Sequence, residues 1–322
     1  MEAWGIMLTS VSTRSPKISP YLFLILAPLF WAGNFVFGKP LLEALAPFAI
    51  NLVRWLVACI VLVTLTLLFE GRFPRPARHQ WLGLGAMSLT GVVLFNALVY
   101  LSLVYTTSTN AALINGATPV LTMLLAAAVG LDRLTGRRLA AAFISLVGVV
   151  WIVFRGSLGA LIGLSFNRGD LIMLVAALVW AIYTILLNRM TGTLSLLATL
   201  TIITVLALPP LAVIGGYELL TQPLGPITPV IGAGFLYIGV VASVAAFMAW
   251  SVGIRGVGAA RGAIFVNLIP LFTAGIAVLT LGERLGLVQL IGGLLVIGGV
   301  TLASSRGWKR ADDGPTMSPG TK

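Results

Sequence analysis

Residues 110–156 read NAALINGATPVLTMLLAAAVGLDRLTGRRLAAAFISLVGVVWIVFRG, and residues 261–307 read RGAIFVNLIPLFTAGIAVLTLGERLGLVQLIGGLLVIGGVTLASSRG. Laid over each other without a gap, Pro119 meets Pro270, and Asp132-Arg133-Leu134 meets Glu283-Arg284-Leu285. Leu139 meets Leu290, Gly148 meets Gly299, and Arg155-Gly156 meets Arg306-Gly307. Identity elsewhere is sparse, but the matched residues are those that shape a backbone or end a helix. A proline in an apolar helix, a charged turn and a glycine-bearing apolar helix form one unit, written twice. Each unit belongs to about half the chain, so this is a two-fold duplication and not a solenoid.

Composition names the solvent. The chain has 322 residues, 59% hydrophobic and 9% charged, where a soluble domain carries roughly 25% charge. That much apolar surface requires a lipid bilayer. The net charge of +11 does not indicate nucleic acid, because the basic residues lie in short clusters between apolar runs, as in cytoplasmic loops of membrane proteins. Cys59 is the only cysteine and His79 the only histidine. A disulfide framework, a thiolate metal site and a buried histidine site are therefore excluded, and no metal or cofactor is expected.

A bilayer core needs about 20 apolar residues per helix. Ten runs meet this, at approximately 21–38, 46–69, 80–103, 108–130, 137–155, 169–188, 194–215, 227–252, 260–281 and 285–304. They are continuously apolar and not alternating, so they are helices and not barrel strands. Placing the N-terminus inside puts Arg72, Arg75, Arg78, Arg133, Arg137, Arg138, Arg189, Arg255 and Arg261 on the cytoplasmic side. The outer segments then hold only Lys39, Arg155, Arg168 and Arg284. This bias predicts a multi-pass protein of the cell (inner) membrane with both termini cytoplasmic.

Five is odd, so the second set of helices enters the bilayer from the opposite side. The expectation is an all-α integral membrane protein of ten transmembrane helices in two inverted five-helix repeats. Tails at 1–20 and 305–322 flank repeats at 21–156 and 169–304, with a linker at 157–168. Inverted repeats are the architecture of many secondary transporters, with the substrate held near midplane between the halves.

Prolines mark candidate hinges: Pro119 and Pro270 at matched places in helices four and nine, and Pro209-Pro210 interrupting helix seven. Membrane helices also tolerate proline with no mechanical role. Gly148, Gly292, Gly293, Gly298 and Gly299 read as close-packing contacts. Gly33-Asn34-Phe35-Val36-Phe37-Gly38-Lys39-Pro40 nearly matches a phosphate-binding loop. The last position needs a hydroxyl and has Pro40, and no strand precedes it, so that reading is excluded.

The same stretch carries a different resemblance. Trp31, Asn34, Phe35 and Lys39 resemble the first-helix signature of the drug/metabolite transporter superfamily, EamA branch. Pro47 followed by Arg54 resembles its second helix, and Gly169-Asp170 leading to Trp180-Ala181-Ile182-Tyr183 its sixth. Gly258-Ala259-Ala260-Arg261, Pro270 and Leu281-Gly282-Glu283-Arg284-Leu285 resemble the ninth and tenth. The resemblance covers about residues 21 to 305. It implies a ten-helix carrier, often an exporter of amino acids or other small metabolites. Asp132 stands where the family's turn usually has glutamate.

Every acidic residue lies near a membrane boundary or in a tail. A proton-coupled carrier often keeps a carboxylate at midplane; here coupling would have to use Asp170 or Glu43, or the protein is a facilitator. Arg54 is the charge well inside a span, and burying it in lipid costs at least roughly 2.5–3.5 kcal/mol. It either binds a substrate carboxylate, bonds helix-end carbonyls, or snorkels outward, as Lys39 does at the end of helix one.

The other polar and aromatic residues within spans are Trp31, Asn34, Asn96, Tyr100, Asn115, Trp180, Tyr183, Tyr237 and Asn267, with Tyr105, Thr118 and Trp250. Trp31 and Asn34 share a helical face, as do Trp180 and Tyr183 in the second half. Such faces from inverted halves would line a cavity for a zwitterion with a partly apolar body. The competing readings are interfacial belts, which suit Tyr105 and Trp250 near span ends, and asparagines gluing helices together. Asn115 and Asn267 flank the prolines and fit either reading.

The function that follows is a secondary transporter exporting a small amino-acid-like metabolite by alternating access. Its partners are that small molecule and the bilayer, as monomer or homodimer. Rivals are a drug or lipophilic-cation exporter, for which no midplane acid waits, and a nucleobase or sugar-type carrier. An intramembrane enzyme would need histidine, paired acids or metal ligands at depth. A receptor would need a soluble domain or long loops.

Overall fold

The computed structural model describes residues 19–106, 111, 114–132, 134–154, 157, 159, 167–190, 194–281 and 287–304. Each expected run holds a helix. These are α1 (Pro20–Leu41), α2 (Pro47–Glu70), α4 (Thr118–Ala128), α5 (Gly136–Val153), α6 (Arg168–Arg189), α7 (Leu196–Thr221) and α10 (Leu287–Ser304). Three more are composite. α3 runs as Trp81–Met87, a π-helical segment Ser88–Leu94 and Phe95–Tyr105. α8 runs as Pro229–Leu236, a π-helical segment Tyr237–Ala245 and Ala246–Val257. α9 runs as Ala259–Gly262, a 3-10 segment Ala263–Asn267 and Leu268–Leu281. Among the described residues, six helical stretches are long and apolar enough to cross a membrane.

Local chemistry sets the helix ends. Pro47 opens α2, and Gly71, at φ 68°, closes it with its N–H on Leu67 O, a left-handed position that suits glycine. Asn167 and Asp170 form a reciprocal capping box at the start of α6, and Ser195 and Thr228 cap α7 and α8 through the N–H groups of Ala198 and Ile231. Large side chains such as Leu68, Leu82, Leu220 and Leu294 point outward, while Asn51, Thr118, Thr201 and Ser251 are buried. This is the inverse of a soluble pattern and fits a hydrocarbon surround.

The helices pack reciprocally. α1 lies against α8 and α9, and its repeat counterpart α6 lies against α3 and α4. α2 packs on α7 and α5 on α10, each helix on its own counterpart. Each of these contacts between the halves thus has a mate with the halves exchanged, as a pseudo-two-fold axis requires. The α5–α10 contact depends on glycine: a Cβ on Gly148 would lie 2.6 Å from Gly292 O, and one on Gly299 2.6 Å from Ala141 O. The α2–α7 pair is tied at both ends. Glu218 Oε2 accepts from Phe48 N–H (2.7 Å) and Ala49 N–H (2.9 Å), and Ser195 Oγ bonds Glu70 Oε1. At the α4–α5 turn Asp132 pairs with Arg138. Its repeat partner Glu283-Arg284 lies outside the described residues, as do Arg133, Arg155, Gly156, Arg306 and Gly307.

The prolines differ from expectation. α7 runs unbroken through Pro209 and Pro210, both exposed, so they do not interrupt it. Proline's φ is itself helical, and what each ring costs is one N–H donor and some crowding of the carbonyl four residues back. Pro119 sits in the first turn of α4, directly after a turn at Gly116 and Ala117. Pro270 is the third residue of Leu268–Leu281, directly after the 3-10 segment. Both head a helical segment at a break and do not bend a continuous helix, because the first turn needs no N–H from proline.

Candidate functional site

The centre of the bundle is aromatic. Trp31 of α1 and Trp180 of α6, one from each repeat, meet edge to face with ring centroids 5.4 Å apart. Phe247 of α8 packs edge to face on Trp31 (5.8 Å) and Trp180 (5.6 Å), and Phe95 of α3 lies 4.7 Å from Trp180. Tyr183 stacks beside Trp180 at 5.1 Å. Each such pair adds about 0.5–1.5 kcal/mol beyond burial. Trp250 corrects an expectation. Expected in an interfacial belt, it is 0% exposed and lies 5.5 Å from Trp31, because α8 continues to Val257 and carries it inward of the helix end. Tyr105 is exposed, as a belt residue would be.

Arg54, 3% exposed, neither snorkels nor leaves its guanidinium open. Its Nε donates to Ser243 Oγ (2.5 Å), one Nη to Asn96 Oδ1 (3.4 Å) and the other to Ala242 O (3.3 Å). Trp31 Nε1 donates to the same Ala242 oxygen at 3.0 Å. That carbonyl takes side-chain donors where the backbone ladder is out of step: Ala246 N–H reaches five residues back, to Val241 O, where an α-helix reaches four. Ser243 Oγ in turn donates to Ile238 O (2.7 Å), and Asn96 Nδ2 to Val92 O (3.4 Å) in the α3 π segment. Arg54 therefore ties α2 to both π segments at once.

The remaining candidates scatter around this centre. Tyr237 donates to Phe30 O at 3.0 Å, and its hydroxyl sits where Gly33 leaves room, 2.0 Å from a would-be Cβ. Asn115 accepts from Thr118 Oγ1 (3.3 Å) beside the α4 break. Asn267 reaches away from the aromatic cluster to Ser145 Oγ of α5 (3.1 Å). The side chains of Asn34 and Tyr100 lie outside the described residues. Asp170 is fully occupied as a cap: Oδ1 accepts from Thr106 Oγ1 (2.5 Å) and Oδ2 from Asn167 N–H (2.9 Å). Glu43 is exposed in the loop after α1.

Sequence reasoning missed Phe247, Trp250, Ser251 and Arg255 as one surface. Their spacing of three and four along α8 puts them on adjoining positions of one face. That spacing was the available signal, hidden because the expected helix ended at 252, short of Arg255.

Comparison with known proteins agrees with this architecture. Among proteins of known sequence, an uncharacterized transporter of Archaeoglobus fulgidus is 33% identical over 89% of this chain and 97% of its own length. An uncharacterized transporter of Bacillus subtilis is 28% identical over 88% of this chain and 93% of its own length. A protein of Streptantibioticus cattleyicolor described as a probable terminal-alkyne amino-acid exporter is 26% identical over 88% and 92%. A crystal structure at 20% identity superposes with a TM-score of 0.72 over 88% of this chain and 97% of its own, which shows the shared fold. The model of the EamA-like transporter family matches residues 18–154 and 167–305, once on each five-helix half. The chain is a multi-pass membrane transporter, not an enzyme, and belongs to the EamA-like transporter family.

Proposed function

We propose that this transporter exports a small amino-acid-like metabolite across the cell inner membrane by alternating access, with both termini cytoplasmic. The observation that carries the reading is the meeting of Trp31 and Trp180, one from each repeat, at 5.4 Å. A site shared by two halves that rock against each other is where access can alternate. Rings from both repeats offer apolar surface for a side chain, and Asn96, Tyr183 and Tyr237 bring polar groups to its edge. Asn34, Tyr100, Asn115 and Asn267 complete the candidate lining, and the breaks at Pro119 and Pro270 are the places for helix movement. The described name of the Streptantibioticus relative supports the amino-acid class, and the basic loops support the orientation. The repeat boundaries 21–156 and 169–304 belong to the same reading.

The test is counterflow in proteoliposomes loaded with unlabelled amino acids, purines or sugars, following uptake of the labelled partner. No ion gradient is needed, so coupling does not enter. Amino acids are expected to exchange, and Trp180→Ala to reduce exchange at least tenfold while Trp180→Phe, which keeps a ring, retains most of it. Exchange of purines or sugars in place of amino acids would overturn the substrate class.

A further inference from the structure

On α8, Phe247, Ser251 and Arg255 recur every four residues and share one face. Phe247 touches Tyr183, ring centroids 6.0 Å apart, and the next two residues of that face, Ser251 and Arg255, stand opposite the Tyr183 hydroxyl. Tyr183 and Ser251 are each 0% exposed. Tyr183 Oη, Ser251 Oγ and Arg255 Nε are all buried, and none makes a hydrogen bond of normal geometry, although the Tyr183 and Ser251 hydroxyls lie beside each other. One Nη of Arg255 donates to Thr199 Oγ1 of α7 at 3.2 Å, and among the described residues no carboxylate pairs with it.

Such a cluster is unusual for a folded interior. Roughly 90% or more of buried polar groups find a partner, and a buried charge without its counterpart is among the costliest things to leave. Two other enclosed arginines are better supplied. Arg54 bonds Ser243, Asn96 and Ala242 O, and Arg138 pairs with Asp132. The partly buried Arg255 has its Nε enclosed, and one Nη is fixed on Thr199 in the first turn of α7. The unmatched groups have one chemistry in common: each can donate, and a guanidinium can only donate. Their complement is an acceptor-only anion. Beside them the rings of Trp180 and Phe247 offer an apolar neighbour.

We propose that Arg255, Tyr183 and Ser251 form a carboxylate-binding subsite at the α6–α8 edge of the aromatic cluster, holding the anionic end of the transported molecule. The inference rests on the transport reading above and goes further. It assigns carboxylate recognition to Arg255 and not to Arg54, whose donors are already engaged in tying helices together.

The experiment titrates purified protein in detergent with butyrate against butyramide, and leucine against leucinamide, reading the intrinsic fluorescence of the tryptophans beside the subsite. The acids are expected to bind and the neutral amides not. Arg255→Gln is expected to weaken acid binding on the order of 10- to 100-fold, with Arg255→Lys recovering part. Tyr183→Phe and Ser251→Ala, each removing one hydroxyl, should weaken it several-fold and serve if Arg255→Gln does not fold. Acid and amide binding alike, no acid binding, or unchanged acid affinity in the variants would each overturn the subsite. Leucine counterflow that Arg255→Gln leaves intact removes the subsite and leaves the amino-acid reading standing. Butyrate binding that needs Arg255, with no amino acid exchanging, does the reverse.

Discussion

Arg54 offers a clean separation between holding the bundle together and holding the substrate. Consider Arg54→Met, which keeps the length of the stem and removes the charged fork. The short Nε bond to Ser243 at 2.5 Å contributes about 2 kcal/mol as a charge-assisted bond, and the two long bonds, at 3.4 and 3.3 Å, about 0.5 kcal/mol each. Two of the three acceptors keep a partner: Ser243 Oγ still bonds Ile238 O, and Ala242 O still receives Trp31 Nε1. Asn96 Oδ1 loses its donor, at about 1 kcal/mol. Removing a buried charge returns part of this, leaving a net loss of about 3 kcal/mol. At roughly 2 °C per kcal/mol for a chain of this size, the melting temperature should fall by roughly 6 °C. Replacing Asn96 as well, in Arg54→Met with Asn96→Leu, removes the stranded oxygen and should recover about 1 kcal/mol, or roughly 2 °C. The assay is thermal unfolding in detergent, with counterflow measured in parallel well below the transition. Exchange should persist within several-fold. A variant that melts with the wild type but exchanges nothing would refute the reasoning, because the guanidinium would then be acting on the substrate.

Two other substitutions test the scaffold. Gly148→Leu must push against Gly292 O, already 2.6 Å from a bare Cβ, and is expected to lose at least about 2 kcal/mol by unfolding temperature; Gly216→Ala, with nothing within 4 Å, should be neutral or gain up to about 1 kcal/mol. Asp170→Asn weakens the cap on α6 and the Thr106 bond and should cost about 1–2 kcal/mol, while counterflow in the presence and absence of a proton gradient responds to the gradient as wild type does.

Much of the fold was legible because it rests on strong, low-resolution signals. Lipid demands long apolar runs, and a duplication of five helices demands inversion. The Trp31–Trp180 meeting was also legible, since both lie at matched depths of matched helices. The π segments of α3 and α8 were not. A π turn inserts one extra residue without changing composition, so the apolar runs at 80–103 and 227–252 look the same with or without it. Its effect is nonetheless decisive. It offers Ala242 O to Trp31 and Arg54, and it turns the α8 face carrying Phe247, Ser251 and Arg255.

The deeper obstacle is symmetry itself. The scaffold contacts come in exchanged pairs, and the repeat reveals them. The charged turns do too, but the two arginines placed among the helices, Arg54 and Arg255, do not. Trp180 lies 149 residues beyond Trp31 (180 − 31), and the same step takes Arg54 to Ile203, fully buried and apolar. Arg255 moved back by the 151 residues that separate Pro119 from Pro270 falls on Val104, which is exposed. Arg54 and Arg255 are each thus a departure of one half from the other. A repeat lets two halves trade places at similar cost, but a molecule with one carboxylate has no two-fold axis and needs a donor set on one side only. Chemistry that discriminates such a molecule has to sit where the halves differ, so aligning the halves locates the frame and passes over the residues that read the cargo.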